Sequence, residues 1–198
     1  MDRTARVFVS YSRHDQEVDR VTALVEWLAE LSQGRIACVM DPSLRPGESV
    51  RDFEQSIAMF PAVIVMGTNL YKQKVISGEY GVSRENQIIA KLYEADEITV
   101  YLAQLESAFP DVFPDNLHAP LAINLAGLIH DPKINRLNSH IKAKFHTEAM
   151  HLVQQILANK PTQQARVVAL EEVKKKLLYE TKHENISSDL TVPQLNSI

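Results

Sequence analysis

Short runs of β-branched and other apolar residues alternate along the chain with longer segments in which apolar residues recur at helical spacing. This alternation is typical of parallel strands joined by crossover helices, and it predicts an α/β fold. The predicted strands are residues 6–10, 36–40, 62–66, 98–102 and, at the edge of the sheet, 121–125. The predicted helices are residues 15–32, 49–60, 82–95 and a last domain helix that includes Ile141 and Ile156 and ends before Pro161.

The segments between these elements are polar or contain helix-breaking residues. Residues 41–48, Asp-Pro-Ser-Leu-Arg-Pro-Gly-Glu, hold two prolines and a glycine, and they are predicted to form a loop of fixed shape. Residues 67–81 are predicted to be a polar, glycine-bearing connection, and residues 109–120 are predicted to be irregular.

The composition changes after Pro161. An apolar stripe of helical period continues over residues 167–177 and lies beside three consecutive lysines, 174–176. It predicts an extra C-terminal helix over 162–183, followed by a polar, poorly ordered tail over 184–198. The domain is therefore placed at 1–160, with 161–198 as an appendage or linker. The lysines form a solvated helix face unless this helix docks on a partner.

Charge and hydropathy exclude two classes of partner. The 198 residues include 21 Lys and Arg against 25 Asp and Glu, a net charge of -4, which argues against binding the phosphate backbone of nucleic acid. No apolar run approaches the roughly 20 residues of a membrane-spanning helix, and the N-terminus leads into a strand instead of a signal-peptide core. We therefore expect a cytoplasmic protein that binds neither nucleic acid nor a membrane.

Several familiar sites are missing from the sequence. Neither a dinucleotide-binding G-x-G-x-x-G turn nor a P-loop occurs. His146 and His151 are five residues apart and would point to different faces of a helix, and Cys38, the single cysteine, lies in an apolar run and is expected to be a core residue. The third strand ends in Met66-Gly67-Thr68, without the aspartate of a phosphoacceptor receiver domain. The sequence thus predicts no metal site and no bound cofactor.

One acidic residue lies where an apolar residue is expected. The inward stripe of the helix predicted at 82–95 is Val82, Glu85, Ile89 and Leu92. Glu85 is therefore in the first turn of a helix that follows a parallel strand, near the sheet edge where open α/β folds bind their ligands. Glu85 is a candidate for a carboxylate that faces a cleft. Alternatively, it caps its own helix or pairs with Arg84 or Arg13.

Three residues after the first strand are expected at the same edge. Tyr11, Ser12 and Arg13 would supply an aromatic face and polar donors to a ligand. Equally, these residues form no more than a strand-to-helix turn in which Ser12 caps the helix.

At this point the motifs resemble a known family. Val7-Phe8-Val9-Ser10-Tyr11-Ser12 resembles the first signature of TIR domains and the related SEFIR domains, and residues 41–48 resemble their BB loop, including its Arg-Pro-Gly. The third strand with Leu70-Tyr71, followed by residues 80–89, is similar to the third strand and active-site helix of prokaryotic members. Together the four segments span about residues 5–158.

The resemblance implies a flavodoxin-like five-stranded parallel sheet with helices on both faces, and for many TIR domains it implies cleavage of NAD+ between nicotinamide and ribose. Glu85 falls on the position of the catalytic glutamate. Substrate would be bordered by Tyr11, Ser12 and Arg13 and by a mobile BB-loop wall of Leu44, Arg45 and Ser49, with Pro46 and Gly47 in the loop that packs on the next subunit. The chain departs from the pattern at Gly81, where a number of members carry tryptophan, and Tyr80 is the candidate substitute.

The resemblance also implies partners: NAD+ as substrate, other TIR domains in a homotypic assembly that activates the enzyme, and bacterial antiviral or immune signalling as the setting. The helix at 162–183 would then lead to a sensing domain or partner protein, or complete a short protein. Two alternatives stay open. One is an adaptor without activity that recruits TIR or SEFIR domains, and the other is a sensor that binds a nucleotide without cutting it. The sequence does not choose between a linear and a cyclic product, or between NAD+ and NADP+.

Overall fold

The computed structural model describes residues 4–12, 15–40, 56–79, 81–106, 112–117, 122–128, 130–131 and 136–158. All of them belong to one compact unit, residues 1–160. The predicted loop 41–48, most of the predicted helix 49–60, and the predicted C-terminal helix and tail lie outside the described residues. Within the described part, no helix combines the length and the apolar character that a membrane span requires.

Five strands form one parallel sheet in the order β2-β1-β3-β4-β5. They are β1 (Ala5–Ser10), β2 (Ile36–Met40), β3 (Ala62–Gly67), β4 (Thr99–Gln104) and β5 (Ala122–Asn124). All six residues of the central strand β3 are buried, as expected for a parallel strand that is covered on both faces. The flavodoxin-like sheet with its short edge strand is confirmed.

Helices cover both faces of this sheet, as predicted. Helices α1 (Asp15–Leu31) and α5 (His146–Ala158) lie on one face, and α3 (Val82–Glu94) lies on the other. The alternation of side chains along a strand divides the core accordingly. In β1, Val7 and Val9 pack in the cluster that contains Leu24 of α1, whereas Phe8 packs in the cluster that contains Ile89 of α3.

Helix α1 ends just before Gly34, the residue that predicted its end. Gln33 and Gly34 both have left-handed backbones, with φ of 54° and 73°, and the Gly34 N–H donates to the carbonyl of Ala29 at 2.9 Å. This closes the last turn and directs the chain into β2.

The connection between β3 and α3 contains a helix that the sequence analysis missed. Helix α2 (Asn69–Ile76) begins at Thr68, whose hydroxyl oxygen accepts from the Tyr71 N–H at 3.1 Å. A second cap comes from another loop, because the Glu106 carboxylate accepts from the Asn69 N–H at 2.8 Å. The prediction was wrong because the helix has only eight residues, of which Tyr71 alone is buried, and because one of its caps comes from a residue 37 positions away.

The C-terminal part of the domain also differs from the prediction. A two-stranded antiparallel hairpin, β6 (His130–Asp131) with β7 (Arg136–Leu137), precedes the last helix. That helix is divided into α4 (Ser139–Lys144) and α5 by Phe145, which is buried in the α1-side core. Burial of this aromatic ring decides the division, and helical period alone gave no sign of it.

The reactivity of the Cys38 thiol on β2 tests how well the folded protein shields this residue. Desolvation by burial raises the pKa of its thiol to about 12, so at pH 8 only about one thiol in ten thousand is ionised. We expect iodoacetamide to label native Cys38 on the order of a thousandfold more slowly than an exposed cysteine. Mass spectrometry at several pH values measures this, with the protein in urea as the control. Cys38 is half-buried and packs against the α1-side core instead of within it, and rapid labelling of the native protein at pH 8 would contradict this shielding.

Candidate active site at the carboxyl edge of the sheet

The carboxyl ends of β1 and β3 form the topological switch point of the sheet. These neighbouring strands pair in register, with Ser10 opposite Val65. From β1 the chain crosses through α1 to β2 on one side, and from β3 it crosses through α2 and α3 to β4 on the other. In open α/β folds the loops diverge at such a point and leave a crevice, which is where ligands bind.

Glu85 lies in the first turn of α3, as predicted, and it is half-buried. The inward stripe differs from the predicted one. The fully buried members of the helix face are Asn86 and Ile89, with Val82, Ser83 and Ala90 beside them, so Glu85 occupies the margin of this face and Asn86 its centre. A side chain at the margin reaches both the protein interior and solvent, which is the position that a carboxylate acting on a bound ligand requires.

A buried tyrosine connects β1 to the surroundings of Glu85. The Tyr71 ring is fully buried, and its hydroxyl lies 3.0 Å from the Ser10 hydroxyl at the end of β1. Burial and the nearby negative charge of Glu85 raise the pKa of Tyr71 far above its ordinary value, although the hydrogen bond with Ser10 opposes this shift. Tyr71 therefore presents an uncharged hydroxyl within the electrostatic reach of Glu85.

A second carboxylate is buried at the same edge, and the sequence analysis missed it. The Ser12 hydroxyl donates to Oε2 of Glu17 in the first turn of α1, and Ser12 Oγ is 3.4 Å from Oγ1 of Thr68. Ser12, Glu17 and Thr68 are all buried. The sequence held the signal, because Glu17 begins the buried stripe that continues through Val21 and Leu24. It is the same signal that singled out Glu85.

The described part of the chain includes three of the predicted site residues. Glu85 and Ser12 lie at the switch point, but Ser12 is fully buried and its hydroxyl is committed to Glu17. Tyr11 is 9% exposed and packs in the core on the α1 side. Arg13, Tyr80 and the BB-loop residues Leu44, Arg45, Pro46, Gly47 and Ser49 lie outside the described residues. Among the described residues, no group of three or more His, Cys, Asp and Glu side chains could hold a metal ion.

The backbone conformation at Gly81 favours glycine at this position. Gly81 is the N-cap of α3 with φ of 97° and ψ of -83°, and its carbonyl accepts from the Glu85 N–H at 2.8 Å. Side chains with a Cβ rarely adopt this backbone conformation. An aromatic residue at this position would strain the turn that starts the helix.

The segment at 112–117 packs against the end of β3 and against α3. The Phe113 ring packs directly on Gly67 at the end of β3. The side-chain N–H of Asn86 donates to the side-chain oxygen of Asn116 at 3.1 Å. The side-chain oxygen of Asn86 itself is buried and has no hydrogen-bond partner. The residue next to Glu85 is thereby tied to a loop from another part of the chain.

The pairing of Ser10 with Tyr71 predicts a measurable loss of stability. Tyr71→Phe removes the phenolic hydroxyl and leaves the buried Ser10 without this partner, which we expect to lower the free energy of unfolding by about 1–2 kcal/mol. Urea denaturation measures this change. Ser10→Ala combined with Tyr71→Phe should cost less than the sum of the single changes, because both partners are then removed. Additive costs would show that the two hydroxyls do not interact.

Comparison with known proteins finds similarity at the level of structure. No protein-family profile and no curated protein sequence matches the chain. The crystal structure of a prokaryotic SEFIR domain is 20% identical, with a TM-score of 0.52 over 76% of this chain and 92% of that one. The TIR domains of the activated Roq1 resistosome, which recognises the pathogen effector XopQ, are 22% identical with a TM-score of 0.41, over 51% of this chain and 57% of that one. The chain therefore shares the α/β fold of the prokaryotic SEFIR domain.

Proposed function

We propose that this chain is a TIR-type NAD+ glycohydrolase that cleaves the bond between nicotinamide and ribose, with Glu85 as its catalytic carboxylate. The observation that carries the proposal is the position of Glu85. It is a half-buried acid in the first turn of α3, beside the switch point of a parallel sheet. The SEFIR-like fold supports the proposal only as far as the scaffold is concerned.

One carboxylate is sufficient for this reaction because of the leaving group. Nicotinamide is cationic in NAD+ and departs neutral, so the acid that protonates the leaving oxygen in most glycosidases is not required. The remaining task is to stabilise an oxocarbenium-like ribosyl cation. An ionised Glu85 can accept hydrogen bonds from the ribose hydroxyls and oppose the developing positive charge, and this effect is strongest where water is excluded.

The surroundings of Glu85 suit this role. The start of α3 is the positive end of the helix dipole, which favours a negative side chain there. On the inner side lie the buried residues of α3 and the uncharged Tyr71. The acceptor decides the product: water gives ADP-ribose, and a nucleophile within the same molecule gives a cyclic isomer.

We further propose that homotypic assembly activates the enzyme in a signalling pathway. This extends the sequence resemblance of residues 41–48 to a BB loop, in which Pro46 and Gly47 would pack on the next subunit. A sensing domain or partner protein would act through the helix predicted at 162–183. An antiviral setting is part of the same proposal.

The test is an assay of NAD+ consumption with the products identified by chromatography. The protein is assayed in dilute solution and after clustering on a scaffold or in a crowding agent, and NADP+ is supplied in parallel. Nicotinamide released only by the clustered protein is the expected result. A clustered protein that releases none would instead support the adaptor function, and stabilisation by NAD+ without any product would support the sensor.

A further inference from the structure

Glu17 is an acidic residue in the protein interior. It is 7% exposed, and it is the only Asp, Glu, Lys or Arg among the described residues that is buried. Burying a carboxylate is costly unless hydrogen bonds compensate for the lost water. The proposed reaction uses Glu85 on α3 and assigns no role to Glu17, which lies on α1.

The hydrogen bonds that end at Glu17 form a chain of polar groups. The Tyr71 N–H donates to Thr68 Oγ1 at 3.1 Å, and the Ser12 hydroxyl donates to Glu17. Since the single proton of the Ser12 hydroxyl is given to Glu17, Ser12 Oγ can accept from the Thr68 hydroxyl, 3.4 Å away. The chain therefore runs from Tyr71 through Thr68 and Ser12 to Glu17.

This chain crosses the switch point. It begins in the first turn of α2, crosses the turns that follow β3 and β1, and ends in the first turn of α1. The contact between Ser12 and Thr68 joins these two turns at the switch point, which is where open α/β folds have their ligand crevice. In the low-dielectric interior, each hydrogen bond of such a chain polarises and strengthens its neighbours.

We propose that Glu17 is a positioning residue that fixes the floor of the ligand crevice by anchoring this hydrogen-bonded chain. The catalytic part of the proposal rests on the proposed NAD+ cleavage. Glu17 touches no reacting atom. It holds the β1–α1 turn against the β3–α2 turn, so that substrate meets a preformed surface while Glu85 acts on the ribose.

The kinetic test compares Glu17→Ala and Glu17→Gln with the wild type in the clustered NAD+ assay. Alanine removes the acceptor, and we expect KM to rise about tenfold, the equivalent of one hydrogen bond, with kcat within about threefold of the wild type. Glutamine keeps an acceptor oxygen and should restore most of the loss. Glu26→Ala, an exposed acid on the same helix, is the matched control and should leave both constants unchanged.

A second readout does not depend on activity. Amide hydrogen exchange of Tyr71, which donates to Thr68, should become faster in Glu17→Ala but not in Glu17→Gln. If Glu17→Ala does not fold, Ser12→Ala breaks the same chain and should show the same effects on KM and exchange.

The outcomes separate the two proposals. A wild type that consumes no NAD+ under any clustering overturns the proposed function, and exchange at Tyr71 then decides the positioning role alone. Unchanged exchange at Tyr71 overturns that role. If the wild type is active, the positioning role is also overturned when Glu17→Ala lowers kcat and leaves KM unchanged. It is likewise overturned when Glu17→Gln has the same raised KM as Glu17→Ala.

Discussion

Glu85→Gln is expected to abolish nicotinamide release from NAD+ by the clustered protein while leaving the fold intact. Glutamine keeps the size of the side chain but loses the charge that opposes the ribosyl cation, and loss of one such electrostatic contact costs about a hundredfold to a thousandfold in kcat. Because Glu85 is only half-buried at the margin of the α3 core face, the unfolding temperature should stay within a few degrees of the wild type.

The matched control for this prediction is Glu94→Gln on the same helix. Glu94 is the exposed last residue of α3, so it lies at the opposite end from the site. The control should keep full activity. Undiminished turnover in Glu85→Gln would remove the proposed catalytic role, and a large drop in unfolding temperature would show that Glu85 stabilises the fold instead.

Gly67→Ala is expected to destabilise the protein strongly. A Cβ at this position would lie 2.3 Å from Cζ of Phe113, far inside van der Waals contact. Phe113 is itself buried, so the ring cannot swing into solvent without opening the core. We expect a loss of about 2–4 kcal/mol in the free energy of unfolding, and a fall of about 10 °C in the unfolding temperature.

A double-variant cycle separates this clash from a general intolerance of alanine. Phe113→Ala alone removes a buried ring and should cost about 3–5 kcal/mol. With Phe113→Ala already present, Gly67→Ala should cost little, because the atoms that it would strike are absent. Urea denaturation measures all four proteins. A Gly67→Ala variant as stable as the wild type would show that the segment at 112–117 does not press on β3.

The same contact links stability to the site. The segment that places Phe113 on Gly67 also places Asn116 on Asn86, next to Glu85. Gly67→Ala should therefore disturb the start of α3 as well as the core.

The sheet and its principal helices could be predicted from the sequence because their signals are local. The β-branched run 62–66 identified the central strand, and Gly34 marked the end of α1. The missed elements depended on partners distant in sequence. Helix α2 takes one cap from Glu106, and the division between α4 and α5 follows from burial of Phe145 in the core.

For the candidate site, the sequence by itself placed an acid in the first turn of α3 and polar residues after β1, because helical period and strand order are local properties. Only the tertiary structure decided that Asn86, and not Glu85, occupies the centre of the buried face, since that depends on what α3 packs against. It likewise decided that Ser12 is turned inward to Glu17 and Thr68. A hydroxyl after a strand can face a ligand or the interior, and the neighbouring elements determine which.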